Sequence, residues 1–308
     1  MKRTILTLLA ALLCVLSFAQ GSKSTYMVAQ RDTCDLFMDV YEPVAIPGDT
    51  LDRPTILFVF GGGFIMGRRD DPWVMPWFKL LNENGYRVVS VDYRLGLKGV
   101  RMRFDLFHLI QSANYTKKAV DMGVEDVFAS VRYLADHPEI GVDMDNIVIS
   151  GSSAGAMISL SCELEACNRT VRAEILPEGF HFAGVMSFAG AIMSDTGKPA
   201  YRRTPCPQLL IHGTRDGAVA YKRFGFFGKG IWGSSFIAKQ LSKKGWDCHI
   251  WRFEGSTHDV AAYMDYLWPI EKEFLEKDCT LGISRRTDAT LTDDSLPRWK
   301  AVTMETLY

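Results

Sequence analysis

Ile147-Val148-Ile149-Ser150-Gly151-Ser152-Ser153-Ala154-Gly155 decides how this chain reads. Residues 146–150 form a short apolar run, as expected of a strand covered on both faces. A helical pattern follows almost at once, from about residue 154 to residue 167. The chain must therefore turn sharply between strand and helix, and Gly-x-Ser-x-Gly occupies that turn. Gly151 and Gly155 carry no Cβ, so neighbouring backbone can approach closely. Ser153 stands at the apex, with its hydroxyl at the C-terminal edge of the sheet. The helix N-terminus behind it favours negative charge that develops nearby. These features make Ser153 a candidate nucleophile.

An oxyanion needs backbone donors from more than one place. Phe60-Gly61-Gly62-Gly63-Phe64 follows another apolar run, residues 55–60, and can aim the amides of Gly62 and Gly63 at the same edge. Ala154 supplies a third amide. No Gly-Lys-Ser/Thr follows these glycines, which argues against a phosphate-binding loop.

Outward from these two stretches, short apolar strands alternate with helical patterns. Strands are expected at residues 86–92, 182–188, 208–212 and 248–253, with an edge strand at 34–41. Helices are expected at 73–84, 117–137, 231–244 and 260–277. This alternation predicts an α/β fold with a mostly parallel central sheet, helices on both faces and antiparallel N-terminal edge strands. No Pro/Gly-rich linker divides residues 20–280, which read as one catalytic domain. Residues 281–308 read as a polar tail, either loose or strapped along the surface.

The order of motifs resembles the α/β-hydrolase superfamily, in the branch of carboxylesterases and hormone-sensitive-lipase-like esterases. The matching pieces are Phe60-Gly61-Gly62-Gly63-Phe64, Val91-Asp92-Tyr93-Arg94-Leu95, Val124-Glu125-Asp126-Val127, Gly151-Ser152-Ser153-Ala154-Gly155, His212-Gly213-Thr214-Arg215-Asp216 and Gly255-Ser256-Thr257-His258. They cover roughly residues 33 to 277. Phe60 is a departure, because the family usually has His there to brace the glycine loop.

The resemblance implies a serine esterase with its triad in the order serine, acid, histidine. Asp216 matches the acid and His258 the base. His212 lies near the same edge and reads as structural, while Glu254 and Asp259 are rival acids that stand too close to His258 in sequence. The family's reaction needs no metal or organic cofactor, and no Cys-x-x-Cys or His-x-x-x-His spacing suggests a metal site. Secreted members of the family often deacylate polysaccharides, so the resemblance implies a carboxylic ester of short acyl chain or a decorated carbohydrate as the substrate. A serine peptidase of the same fold and a non-catalytic hydrolase-like binding protein are the competing readings.

Residues 221–236 form an aromatic and glycine-rich insert after the acid. Loops at this edge of a parallel sheet line the ligand crevice. Phe226, Phe227 and Trp232 from the insert, with Phe64 beside the glycines, are the expected apolar pocket. Residues 101–115 are a second candidate wall.

Met1 to Gln20 reads as a signal peptide. Lys2 and Arg3 form the basic start, residues 5–16 the apolar run, and Ser17-Phe18-Ala19 a cut site after Ala19. The run falls short of the about 20 apolar residues of a membrane span, and export to the periplasm or outside the cell is expected. The 35 basic and 36 acidic residues give a net charge of −1. That balance does not support nucleic-acid binding or a basic membrane-surface protein, because both need a large positive excess. Beyond Cys14, six cysteines remain: Cys34, Cys162, Cys167, Cys206, Cys248 and Cys279. Cys206 and Cys248 each precede a strand, and if those strands are neighbours their starts lie within reach of a disulfide.

Overall fold

The structure is a computed structural model that describes residues 22–103, 105, 107–226, 228–293, 295, 296, 303 and 306. The expected leader at residues 1–19 lies outside them, as does Phe227. Only the backbone of Phe226 is described.

In chain order the elements are β1 (Lys23–Gln30), β2 (Asp35–Tyr41), β3 (Thr55–Val59), α1 (Met75–Glu83), β4 (Val88–Val91) and α2 (Leu109–Asp136). Next come β5 (Ile147–Ser152), α3 (Ala154–Asn168), β6 (Gly184–Phe188), β7 (Ala191–Ser194), β8 (Gln208–Gly213), β9 (Arg223–Phe226) and β10 (Lys229–Gly233). The last are α4 (Ser234–Lys244), β11 (Cys248–Phe253), α5 (Trp268–Glu273) and β12 (Arg286–Leu291). Among the described residues nine strands form one sheet in the order β1-β2-β4-β3-β5-β6-β8-β11-β12. β1, β2 and β4 pair antiparallel. From β4 to β12 all pairings are parallel. This is the α/β architecture that the strand–helix alternation implied.

The central strands are apolar because both faces are covered. Every residue of β3, β4, β5 and β6 is buried. β3 sits beside β5 with Val59 opposite Gly151. The glycine loop after β3 and the turn after β5 therefore emerge side by side. β8 and β11, two and three strands from β5, end on the same edge, with Gly213 opposite Phe253. Parallel register alone brings the loops that carry Gly63, Ser153, Asp216 and His258 to one rim.

Several boundaries differ from the sequence reading. β2 lies inside the sheet, and β1, whose residues are mostly exposed, is the edge. α2 runs 28 residues from Leu109, eight residues before the expected start at residue 117. The expected helix at 231–244 starts only at Ser234, because residues 229–233 pair as β10 in a second, three-stranded antiparallel sheet, β7-β10-β9. A Cβ on Gly233 would lie 1.8 Å from the Ala220 carbonyl, so the chain passes that strand without room for a side chain. The expected helix at 260–277 is broken into a short 3₁₀ turn, His258–Ala262, then α5, then a π-helical turn, Phe274–Thr280. Pro269 opens α5, where its missing N–H costs nothing.

Part of the segment 281–308 belongs to the sheet. β12 adds parallel to β11 at its far edge. Leu296 is buried, and Thr303 forms a parallel bridge with Gly217, next to Asp216. All six described cysteines are free thiols. The Cys206–Cys248 disulfide is not formed: Cys248 faces Gln208 across the β8–β11 pair, two residues beyond Cys206.

Candidate active site

Ser153 caps α3 with φ 53° and ψ −117°, a backbone conformation that side chains rarely adopt. Close packing holds it there. A Cβ on Gly155 would lie 2.0 Å from the Val59 carbonyl oxygen, and one on Gly151 would lie 2.4 Å from the Gly155 carbonyl. The Ser153 amide donates to the Phe188 carbonyl at 2.9 Å. The sharp turn between β5 and α3 is thus fixed by backbone contacts on three sides.

His258 opens the turn that follows β11 and is largely buried. Its Nδ1 lies 2.7 Å from Asp216 Oδ2. A carboxylate only accepts, so Nδ1 carries the proton and Nε2 is left with its lone pair. Ser153 Oγ stands 2.7 Å from that Nε2 and donates to it. Hydroxyl, imidazole and carboxylate form one chain across three loops. The rival acids do not join it. Asp259 accepts from Thr257 and Tyr263, and the hydrogen bond at Nδ1 is made by Asp216.

Asp216 is held by several donors. Its Oδ1 accepts the amides of Ala218 and Val219, both at 2.8 Å. Its Oδ2 also lies 3.2 Å from His212 Nε2. Burial pushes this carboxyl up, but the hydrogen bonds from His212 and His258 outweigh burial and hold it well below the usual carboxylate range. The sequence reading missed the contact with His212.

The glycine loop reaches the site from β3. Gly62 has φ 119° and Gly63 φ 62°. A Cβ on Gly62 would lie 2.1 Å from the Met66 carbonyl, and the Gly62 carbonyl closes the turn by accepting the amides of Ile65 and Met66 at 3.1 Å each. Phe60 stacks on Tyr93 with centroids 4.4 Å apart and 25° between planes. Tyr93 Oη donates to the Phe60 carbonyl at 3.1 Å. Stacking fixes the start of the loop where a His was expected. The neighbouring motifs brace one another too: Arg94 donates to the buried Asp126 at 2.8 Å.

A cavity of about 600 Å³ opens beside Ser153. Gly63, Phe64, Ala154 and Asp216 line it with the serine, whereas Gly62 does not. Its apolar wall is Leu109, Ile110, Met157, Met193, Phe224 and Ile231. Of the four expected pocket residues, Phe64 lines the cavity. Trp232 does not: side chains alternate along a strand, so Ile231 faces the cavity and Trp232 packs away from it, its ring 6.4 Å from that of Phe236. Phe227 lies outside the described residues, and so does the Phe226 side chain. Thr303 also lines the cavity, a position no sequence signal marked. Among the described residues no group of three or more His, Cys, Asp or Glu is arranged to hold a metal ion.

The carboxylesterase family pattern matches residues 13–185, more than half of the 308-residue chain. The chain belongs to the carboxylesterase family. Esterase LipI of Mycobacterium tuberculosis is 31% identical over 121 residues, which is 39% of this chain and 31% of LipI. The non-reducing polyketide synthase trt4 of Aspergillus terreus is 26% identical over 152 residues, 49% of this chain and 6% of the synthase. The stretch this carboxylesterase-family chain shares with these relatives is thus a minor part of their length. Among solved structures, the propionate-bound thermophilic esterase Est2 of Thermogutta terrifontis aligns with a TM-score of 0.55 and 23% identity, covering 83% of this chain and 95% of that one. That likeness is one of fold, and it agrees with the α/β-hydrolase architecture described above. Among the described residues no helix is long and apolar enough to cross a membrane.

Proposed function

We propose that the chain is a serine carboxylesterase working through an acyl-enzyme on Ser153. The observation that carries this reading is the chain of two 2.7 Å hydrogen bonds from Ser153 through His258 to Asp216, at the mouth of an apolar cavity. Ser153 Oγ attacks the ester carbonyl while His258 Nε2 takes its proton. The tetrahedral oxyanion rests on the amides of Gly63 and Ala154, with the α3 N-terminus behind them. Gly62 supplies the turn that presents Gly63. His258 then gives its proton to the leaving alkoxide, and the C–O bond to the alcohol breaks. Water, deprotonated by the same imidazole, releases the acid and restores the serine. Asp216 holds the imidazole in the tautomer this needs.

The apolar wall suits an acyl or aryl group. The alcohol half of the substrate faces outward, where a carbohydrate can be accommodated. We further propose that Met1 to Gln20 is a leader and that the enzyme works outside the cytoplasm. N-terminal sequencing of protein from the periplasm or medium should begin at Gln20.

The test of the reaction is a panel of p-nitrophenyl acyl esters, acetylated xylan and methyl ferulate, run with wild type and Ser153→Ala. A fluorophosphonate should label wild type alone. Unchanged ester hydrolysis by Ser153→Ala would sink the assignment.

A further inference from the structure

We propose that His212 is a positioning residue for Asp216, and that the acid of this site is shared between two imidazoles. This rests on the reading of Ser153, His258 and Asp216 given above. Asp216 Oδ2 lies 2.7 Å from His258 Nδ1 and 3.2 Å from His212 Nε2. With the two amides on Oδ1, four donors surround one carboxylate.

The proton on His212 follows from counting donors and acceptors. Its Nε2 faces two oxygens that only accept, Asp216 Oδ2 and the Val219 carbonyl, the latter also at 3.2 Å. Nε2 therefore carries a proton. Its Nδ1 lies 2.8 Å from Ser234 Oγ, which is also 3.2 Å from the Gly190 carbonyl. The Ser234 hydroxyl, placed between Nδ1 and the Gly190 carbonyl, holds the ring from its other side. His212 is fully buried, so bulk water does not substitute for any of these partners. The other titratable or charged groups around it are His258 beyond Asp216, Tyr221, whose ring lies 5.6 Å away edge-on, and Arg252, opposite His212 on β11.

The consequence concerns His258. His212 fixes the carboxylate plane, because its ring on β8 and the His258 ring in the turn after β11 approach the same oxygen. His212 Nε2 also lies 3.2 Å from the carbonyl of Val219, whose amide holds Asp216 Oδ1. A carboxylate fixed in this way holds the His258 ring in line with Ser153.

The experiment is the steady-state kcat and KM for p-nitrophenyl butyrate with the full chain. His212→Leu removes the donor. In this variant kcat should fall about 10- to 100-fold with KM little changed. His212→Gln keeps an N–H donor and should restore most of the wild-type kcat. Ser234→Ala removes the hydroxyl that holds Nδ1, and should lower kcat in the same direction as His212→Leu with KM little changed. This third variant keeps the test decisive should His212→Leu fail to fold. A folded His212→Leu with wild-type kcat would overturn the proposal, as would equal behaviour of the Leu and Gln variants. Fluorophosphonate labelling of wild type separates the two failures: without it the triad reading itself falls.

Discussion

The Ser152 hydroxyl donates to the Ala261 carbonyl at 2.7 Å, fully inside the protein. Ser152 ends β5 and Ala261 belongs to the turn that begins at His258. One bond thus ties the nucleophile's turn to the base's turn, beside the functional contact between Ser153 and His258. Ser152→Ala leaves a buried carbonyl without this donor and should cost about 1–3 kcal/mol of stability. Because the two turns lose their tie, kcat should fall while KM stays near its wild-type value. Urea unfolding and steady-state kinetics on one preparation check both halves.

Gly155 shows how little room the site's backbone leaves. The Cβ of Gly155→Ala would lie 2.0 Å from the Val59 carbonyl, a distance no side chain can keep. α3 must shift away from β3, carrying Ser153 off the glycine loop. We expect a loss of about 3 kcal/mol or more, and a Tm lower by roughly 6 °C or more. Fluorophosphonate labelling should fall with it. A soluble Gly155→Ala protein that melts and labels like wild type would contradict the packing described for this turn.

The register of β10 gives a sharper test of the pocket. Ile231 lines the cavity and Trp232 faces the other side of the small sheet. Ile231→Trp should shorten the accepted acyl chain, lowering kcat/KM for octanoyl relative to acetyl esters by about 10- to 200-fold. Trp232→Phe should reduce stability and leave the acyl preference unchanged. A reversed pattern would mean that the alternation has been assigned to the wrong face.

What could be seen in the sequence was whatever rests on local pattern. The apolar strands β3, β5, β6 and β8 announce themselves because both faces are buried. The turn at Ser153 announces itself because two glycines are required within five residues. Edge strands were harder. β12, Arg-Thr-Asp-Ala-Thr-Leu, alternates exposed and half-buried positions and carries no apolar run. Its place in the sheet is set by pairing with β11 rather than by its own composition. Trp232 misled for a similar reason: composition marks an aromatic insert, but only strand register decides which neighbour faces the substrate. Thr303 enters the cavity wall through a bridge to a residue 86 positions away, and His212 meets Asp216 only because the loop after β8 folds back on its strand. Such contacts depend on tertiary geometry, which spacing does not encode.

Glu163 supplies a pH dependence independent of the catalytic groups. It sits in α3, 3% exposed, and its Oε1 accepts the Cys206 amide at 3.0 Å. Burial pushes its carboxyl up to about 7 from an ordinary 4.5, and the Cys206 hydrogen bonds only partly oppose this. Between those two values the folded protein holds a proton that the unfolded chain has released. Its stability contribution is complete below pH 4.5, is lost as pH rises through 7, and changes no further above that. Glu271, also buried, is raised for the same reason and acts in the same direction. Asp216, whose carboxyl is lowered, contributes stability that is lost only in acid below 3.8, so it does not disturb the window. Wild type should therefore lose up to about 3 kcal/mol through Glu163 between pH 4.5 and 7. Glu163→Gln keeps an acceptor for the Cys206 amide but has no proton to lose. Its urea stability should fall less than that of wild type over the same range, and at pH 8 it should exceed wild type. Parallel curves for the two proteins would show that Glu163 does not titrate in this window.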